Sequence, residues 1–198
     1  MTGTRDRSRS DETRAKLLRA ATTAFAEKGF HATTTRDIAT AAGMSPAAVY
    51  VHHRSKEELL HLISRAGHET TLELIRAAVR STSDPAEQLT AVIREFAVHH
   101  ARAHTTARIV NYELAALSPE HHAEIRELRR AISAELRALI QRGIDAGVFR
   151  TPHADMAATA LLSLGIDIAR WYRTDGQWSP DDIGGFYADL ALRMVGAG

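Results

Sequence analysis

The sequence contains no cysteine, only five prolines, and 6% aromatic residues. Without cysteine the chain forms neither disulfide bonds nor thiolate zinc sites, and it has no cysteine nucleophile. No apolar run reaches the roughly 18–20 residues that a membrane helix needs. The first nine residues are charged with no apolar stretch behind them, which is unlike a secretory signal. These absences predict a cytoplasmic protein with no cofactor and no membrane partner.

Charge is distributed unevenly along the chain, although the net charge is only +1. The first 66 residues hold 11 lysines and arginines against 7 acidic residues, a net of +4, and the remaining residues have a net of −3. All the lysines lie in the first part: Lys16, Lys28 and Lys56. A basic head on an acidic remainder is typical of a protein that binds a polyanion.

Proline and glycine divide the chain into helices, and strand signals are missing. Each proline follows a Ser, Asp or Thr, a pair that predicts a helix start because the side-chain oxygen caps an amide and proline has a helical φ. Gly29, Gly43 and Gly147 lie where left-handed residues end helices. The predicted fold is all-α, with about nine helices near residues 11–28, 35–42, 46–52, 56–80, 85–103, 105–117, 119–146, 153–173 and 180–195.

The second and third predicted helices are very short and are joined by the turn Ala42-Gly43-Met44-Ser45. A turn of three or four residues containing glycine, between two short helices, is typical of a helix-turn-helix, whose second helix enters the DNA major groove. The residues expected to pack between the two helices are small or branched: Ile38, Ala39, Ala42 and Val49. The same outline also fits an ordinary pair of packed helices.

Three segments in this region resemble the DNA-binding domain of TetR-family transcriptional regulators: GFHATTTRDIA from Gly29, the turn AGMS, and VYVHHRSKEELL from Val49. The resemblance covers about residues 12–62. The chain departs from the family at His53, where phenylalanine is usual, which affects local packing more than DNA binding. The charged residues 1–9 are expected to form a disordered basic arm. The resemblance implies a helix-turn-helix domain over 10–55 and a ligand-binding and dimerisation domain over 56–198.

The resemblance also implies a set of DNA contacts, namely Thr34, Thr35, Arg36, Ser45, Pro46, Ala47, Ala48, Tyr50, His52 and Lys56. Thr34 or Thr35 caps a helix whose amides suit a phosphate, and Lys56 adds a cation at another helix start. The short residues 45–48 favour thymine-methyl contacts and shape readout over hydrogen bonds.

Other interpretations of these residues remain open. Tyr50 also fits a buried ring, and Arg36 also fits a solvated side chain. The basic arm, with Arg5, Arg7 and Arg9, fits either a minor-groove contact or a solubilising tail.

In the TetR family the C-terminal part binds a small effector and forms the dimer. In helices 153–173 and 180–195, apolar residues occupy nearly every side of the helix. This pattern predicts a four-helix homodimer interface, and the alternative is that both helices belong to the core of a monomer. The segments around residues 111–121 and 169–173 are similar to a subgroup that senses acyl-CoA thioesters. The predicted ligand contacts are Arg108, Asn111, Tyr112, Arg170 and Trp171, with Arg173 as a further arginine for phosphates. Trp171 with Tyr172 also fits a core aromatic pair.

Two other classes of protein compete with this interpretation. No phosphate-binding loop, dinucleotide fingerprint, nucleophile elbow or zinc-protease motif is present, so an enzyme is not expected.

His100 and His104 are four residues apart, but two histidines without a carboxylate at fixed spacing are weak evidence for a metal. The sequence therefore predicts a repressor that a small molecule releases from a palindromic DNA operator. The alternative is a helical interaction protein or an enzyme without DNA readout.

Overall fold

The computed structural model describes the backbone of residues 3–197 and the side chains of residues 10–197. Within that range the chain forms nine α-helices and one short 3-10 turn, Leu114–Ala116, with no strand, which confirms the predicted all-α class. The helices are α1 (Gly3–Lys28), α2 (Thr35–Ala41), α3 (Pro46–His52), α4 (Lys56–Arg80), α5 (Pro85–Arg102), α6 (His104–Tyr112), α7 (Pro119–Asp145), α8 (Ala154–Trp171) and α9 (Pro180–Val195). None of the described helices is both long and apolar enough to cross a membrane.

Most helix ends follow the predicted signals. The side chains of Ser45, Asp84 and Ser179 accept amide hydrogen bonds at the starts of α3, α5 and α9. The three glycines expected in the left-handed conformation adopt it, with φ of +78°, +63° and +71° at Gly29, Gly43 and Gly147.

Two predicted boundaries are wrong, and one predicted start signal does not begin a helix. The chain is helical from Gly3, so the part of the expected disordered arm over residues 3–9 belongs to α1, while residues 1 and 2 lie outside the described range. No proline or glycine interrupts residues 4–10, so nothing there breaks the helix. The sixth helix ends at Tyr112 instead of residue 117, and a 3-10 turn over Leu114–Ala116 follows it. The Thr151-Pro152 pair does not start α8, which begins at Ala154.

The chain divides into two compact units. The first contains residues up to 67 together with residues 108–125, and the second contains residues 68–107 and those from 126 onward. This division does not follow the boundary at residues 55 and 56 expected from the family resemblance. Instead, α4 and α7 each contribute residues to both units.

In the first unit, α1 packs against α2 and α3. Leu17 and Phe25 of α1 are buried, and the Phe25 ring lies 5.2 Å from the Phe30 ring. His53 is only 4% exposed, and neither of its ring nitrogens makes a hydrogen bond among the described residues. Burial lowers the pKa of His53 below its ordinary value. The residue that departs from the family pattern therefore occupies a core position, where burial disfavours its charged form.

In the second unit, α5 is the central helix and packs against both α8 and α9. Two glycines allow the close approach. A Cβ at Gly165 of α8 would lie 2.4 Å from Cε1 of Phe96, and one at Gly184 of α9 would lie 2.6 Å from Cγ2 of Val98. Since real Cβ atoms do not come this close to a neighbour, any side chain at either position would push the helices apart.

His100 lies in the same core, on α5. Its side chain is buried, its Nδ1 donates a 2.9 Å hydrogen bond to the carbonyl oxygen of Phe96, and its ring lies 4.2 Å from the Phe96 ring. Burial lowers the pKa of His100 to about 4. The folded chain therefore keeps this imidazole neutral at pH values where an exposed histidine is charged.

We expect stability to fall as the pH drops from 7 to 5. Below its ordinary pKa of 6.5, His100 is protonated in the unfolded chain but not in the folded one until about pH 4, so protons favour unfolding in this window. This residue alone accounts for about 2 kcal/mol at pH 5. Urea unfolding at the two pH values, at fixed protein concentration, measures the effect. His100→Gln should reduce the difference, whereas a replacement of the exposed His153 should not. An equal pH dependence in H100Q would contradict the assignment.

His53→Phe should stabilise the chain. The substitution removes two buried ring nitrogens that make no hydrogen bond, a desolvation cost of about 1–3 kcal/mol. Thermal unfolding should show a rise of several degrees in Tm. The matched control is the adjacent, partly exposed His52, where the same change should give no comparable gain. A lower Tm for H53F would mean that the larger ring overpacks this site.

Candidate nucleic-acid interface

The helix-turn-helix is built around Gly43. Its φ of +63° turns the chain between α2 and α3, a conformation that favours glycine. On the far side of the turn, the Ser45 hydroxyl accepts a 3.3 Å hydrogen bond from the amide of Ala48 and so caps α3. The four residues expected to pack between the two helices are all buried: Ile38, Ala39, Ala42 and Val49. The predicted inner face of the motif is therefore confirmed.

The start of α2 is fixed by a reciprocal cap. The Thr34 hydroxyl accepts a 3.1 Å hydrogen bond from the Asp37 amide, and the Asp37 carboxylate accepts a 2.8 Å hydrogen bond from the Thr34 amide. Lys28 forms a 2.7 Å ion pair with the same carboxylate. The hydrogen bonds from Lys28 and Thr34 hold the pKa of Asp37 well below its usual range. Thr34, one of the predicted DNA contacts, thus has an internal role as a cap.

Outside this cap, the surface beside α3 combines short and polar side chains. Tyr50 is 57% exposed, which excludes the interpretation of a buried ring, and its hydroxyl lies 3.1 Å from the Thr35 hydroxyl. Arg36 is exposed on α2, and Ser45, Pro46 and Ala47 are exposed at the start of α3. Ala48 and His52 are partly exposed. The structure therefore brings Thr35 and Tyr50 together and leaves the first turn of α3 open to solvent.

Lys56 is held inside the first unit by carbonyl oxygens. Its ammonium donates to the carbonyls of Phe30 and Thr33 at 2.8 Å each and of His31 at 3.3 Å. It also lies 4.5 Å from the centre of the Phe30 ring, within range of a cation–π interaction. An ammonium has three donors, so this network uses them all. Lys56 thus ties the loop before α2 to the start of α4, a role that the sequence analysis did not identify.

Lys16 is a basic residue near the motif that the sequence analysis did not select. Its Nζ lies 3.9 Å from the position that a Cβ would occupy at Gly43. Lys16 is an exposed residue of α1. Nothing in the local sequence pointed to Lys16, because its nearness to the turn depends on how α1 packs against the motif.

Two stacked histidines support the first turns of α4. The His61 and His121 rings are parallel with centroids 3.8 Å apart. His61 Nε2 lies 2.8 Å from a Glu124 carboxylate oxygen, and His121 Nδ1 lies 2.8 Å from a Glu57 oxygen. Burial raises the pKa of Glu57, but hydrogen bonds from the Ser118 amide and His121 outweigh burial and bring it below its ordinary value. The start of α7 is thereby joined to α4 by polar contacts.

The predicted ligand contacts fall in both units. Arg108, Asn111 and Tyr112 lie on α6 in the first unit, where the exposed Arg108 donates a 3.2 Å hydrogen bond to the carbonyl of Ala26 and Tyr112 is 44% exposed. Arg170 and Trp171 end α8 in the second unit.

Around the end of α8, the exposed Arg170 forms a 3.3 Å ion pair with Asp167, and Trp171 is 38% exposed. Tyr172 is buried, with its ring 5.2 Å from that of His104. Tyr172 is therefore a core residue, as one interpretation of the sequence expected, but Trp171 is not, so the two do not form a core aromatic pair. Arg173 donates a 3.1 Å hydrogen bond to the carbonyl of Tyr172.

His100 and His104, the two histidines considered as metal ligands, each make a hydrogen bond to a backbone carbonyl. His104 Nδ1 donates a 3.0 Å hydrogen bond to the carbonyl of Ala101, as His100 does to Phe96. Among the residues that the structure describes, no group of three His, Asp or Glu side chains is arranged to hold a metal ion.

Two family models match the chain. The family described as bacterial regulatory proteins of the tetR family matches residues 17–63, which include the helix-turn-helix. The family described as the tetracyclin repressor-like C-terminal domain matches residues 82–195, more than half of the chain.

Similar proteins agree with these matches. The HTH-type transcriptional repressor KstR2 of Mycobacterium tuberculosis is 30% identical over 183 residues, which cover 90% of each chain. A bacterial regulatory protein of the tetR family from Rhodococcus RHA1 is 40% identical with a TM-score of 0.90, covering 94% of this chain and 98% of that one. AibR, solved with isovaleryl coenzyme A and operator DNA, shares the fold at 23% identity, with a TM-score of 0.83 and coverage of 94% of this chain and 100% of its own.

These matches exclude the alternatives of an enzyme and of a helical interaction protein without DNA readout. The chain belongs to the TetR family of bacterial transcriptional regulators and is a ligand-responsive DNA-binding regulator.

Proposed function

We propose that this chain represses transcription in the cytoplasm as a homodimer on a palindromic operator, and that a small-molecule effector releases it. The observation that carries the proposal is the open first turn of α3, which is capped by Ser45 and belongs to the same short helix as the exposed Tyr50. Repression, instead of activation, is supported by the relative KstR2, which is a repressor.

In this proposal the base contacts come from the start of α3. Pro46 and Ala47 present only short apolar groups, which suit thymine methyls and close approach of the helix to the groove. Arg36 supplies a guanidinium for a phosphate or a guanine edge, and the hydroxyls of Tyr50 and Thr35 supply donors for phosphate oxygens. Sequence preference would then depend on methyl contacts and DNA shape as well as on hydrogen bonds.

The remaining predicted DNA contacts divide into internal and exposed roles. Thr34 and Lys56 hold α2 and α4 in position through their own hydrogen bonds, and so act on DNA through the placement of their neighbours. Ser45, Ala48 and His52 belong to α3 or its cap and contribute to the contact surface. A direct phosphate contact from the Lys56 ammonium would require it to exchange at least one carbonyl partner.

The dimer is proposed to form through α8 and α9. One face of each helix is buried within the second unit, but large apolar side chains are exposed on the other, including Met156 (69%), Leu164 (38%) and Phe186 (61%). Exposed apolar residues clustered on neighbouring helices are typical of a protein interface. Two copies of α8 and α9 would make a four-helix bundle with two-fold symmetry, matching the symmetry of a palindromic operator. Members of the family are typically dimers.

The effector is proposed to be an acyl-CoA or similar lipid-like molecule. AibR was solved with isovaleryl coenzyme A, and the residues proposed to contact the ligand here are Arg108, Asn111, Tyr112, Arg170 and Trp171. The coupling element is α4, a continuous helix of 25 residues, about 37 Å long, that begins at Lys56. A shift of α4 would change the spacing of the two recognition helices of a dimer. Effector and DNA would then weaken each other's binding by the same factor.

Two substitutions should separate DNA contact from structural support. Arg36→Ala should weaken operator binding about tenfold, or about 1.4 kcal/mol, while leaving Tm unchanged, because Arg36 is exposed. Lys56→Met should lower Tm as well as DNA affinity, because it leaves three carbonyl oxygens without their common donor. Fluorescence anisotropy with the DNA flanking the gene, at several salt concentrations, measures binding, and thermal unfolding measures stability.

The control for these measurements is Arg80→Ala, an exposed arginine at the end of α4 that should leave both properties unchanged. Binding to the flanking DNA should exceed binding to an unrelated fragment and weaken steeply with salt. If R36A binds operator as the unsubstituted chain does, the proposed interface is incorrect. A Tm unchanged in K56M would remove the supporting role assigned to Lys56.

Leu164→Glu should convert the dimer to monomer. The added carboxylate would be buried in the α8–α9 interface, where an unpaired charge is strongly unfavourable. Analytical ultracentrifugation should show the loss of dimer, and operator affinity should fall with it because one chain covers only one half-site. Ser83→Glu, which adds the same charge at an exposed loop residue outside both helices, should change neither result. A dimeric L164E would place the interface elsewhere.

A further inference from the structure

A basic pocket lies on the second unit, between α7 and α8, among residues that the sequence analysis did not select. It has a volume of about 390 Å³. Its lining contains four arginines and a single acidic residue, with small or hydroxyl side chains between them: Arg126, Arg129, Arg130, Ser133, Ala134, Arg137, Asp155, Ala158 and Thr159. A cavity of this volume is within the range of small-molecule sites.

The arginines are aligned by helical periodicity. Relative to Arg126, the other three lie three, four and eleven positions further along α7, which places all four on one face of the helix. Like charges at such spacings repel one another, so this face is electrostatically unfavourable without an anion. The same spacing is visible in the sequence, and it could have identified this face before the structure was known.

Two of the pocket arginines form ion pairs with carboxylates. Arg130 pairs with Glu127, and Arg137 pairs with Asp155 at 3.3 Å, in both cases through largely exposed side chains. Exposed ion pairs of this kind contribute little to the stability of the fold. An anionic ligand can therefore replace their carboxylates at a small cost in free energy. Among the side chains that the structure describes, no carboxylate forms an ion pair with Arg126.

Arg129 is the pocket arginine that contacts a buried residue of the second unit. It is partly buried, and its Nη1 donates a 3.4 Å hydrogen bond to Nε2 of His68, a residue only 4% exposed. Burial lowers the pKa of Arg129 below its ordinary value, although a guanidinium stays charged at any physiological pH. Arg129 therefore places a guanidinium in the pocket lining next to a buried residue.

We propose that the α7–α8 pocket binds the phosphate groups of a small molecule through Arg126, Arg129, Arg130 and Arg137. Planar guanidinium groups bind phosphate oxygens in bidentate fashion, and a pair of phosphates matches several arginines on one face. Ala134 and Ala158 leave room for the ligand, and Ser133 adds a hydroxyl donor. The site rests on the proposed function only where the phosphates belong to the effector.

The phosphates can belong to a nucleotide or to the coenzyme A part of a thioester. Both carry a diphosphate, which is the chemistry that the pocket recognises. The two sources differ in what accompanies the diphosphate, so adenosine diphosphate and coenzyme A distinguish them.

Isothermal titration of the full-length, DNA-free protein with inorganic pyrophosphate, at constant ionic strength, tests the site directly. We expect saturable binding of one pyrophosphate per chain, weakened about tenfold or more by Arg126→Ala and by Arg129→Gln. Arg80→Ala is the matched control, an exposed arginine of the same unit that pairs with Glu73 outside the pocket and should bind as the unsubstituted protein does. Since Arg126 is exposed, R126A keeps the test valid if R129Q fails to fold.

The second arm repeats the titration with adenosine diphosphate and coenzyme A, and with an unrelated DNA duplex as competitor. Tighter binding of coenzyme A than of adenosine diphosphate, weakened by R126A and accompanied by release of operator DNA, assigns the pocket to the effector. Binding of both that R126A weakens equally, with operator DNA still bound, assigns it to nucleoside diphosphates. Either result supports the site. Equal pyrophosphate binding by R126A and the unsubstituted protein overturns the proposed site, and so does the absence of pyrophosphate binding. Operator binding is measured in parallel and shows separately whether the proposed regulator function holds. Displacement of pyrophosphate by the unrelated duplex also overturns it, because the arginines would then be a DNA contact.

Discussion

The ammonium of Lys56 and its three carbonyl partners fix the geometry on which the DNA-binding surface depends. These carbonyls belong to Phe30, His31 and Thr33, the residues that lead directly into the Thr34 cap of α2. The Thr33 hydroxyl donates in turn to the carbonyl oxygens of Ala24 and Gly29, so the loop is tied to α1 as well as to α4. Lys56 thus holds the loop that leads into α2, whose first residue is set by the Thr34 cap, and α2 in turn packs against α3. A residue that the family pattern suggests for DNA contact has its clearest role in building the surface beside it.

Much of the fold could be predicted from the sequence because its helix boundaries are encoded locally. The Ser45 and Ser179 caps and the left-handed Gly43 depend on neighbouring residues alone, and all of them formed as expected. The helix boundaries and the division into units were predicted wrongly where the local sequence signal was ambiguous or absent. Thr151-Pro152 has the pattern of a helix start, but α8 begins two residues later without a side-chain cap. The division into units depends on which helices pack together, and no local pattern records that.

The site was predictable as a set of residue types but not as a set of contacts. The family pattern predicts DNA contacts at Arg36 and Tyr50, and the structure shows both residues exposed. The acceptors of Lys56 lie 23 to 26 residues earlier in the chain, so its internal role required the tertiary structure. Lys16 was missed for the same reason. The arginine face of α7 was visible in the spacing, and it went unnoticed because surface arginines are usually solvated.

The short apolar side chains at the start of α3 have a consequence for DNA that has been modified. If Pro46 and Ala47 read bases through methyl contacts, they detect a group at C5 of a pyrimidine and not the hydrogen-bonding edge that separates thymine from cytosine. A cytosine methylated at C5 carries the same group at the same place in the major groove. Methylation of a cytosine under this helix would therefore imitate thymine, and the epigenetic state of an operator would be part of what the protein reads.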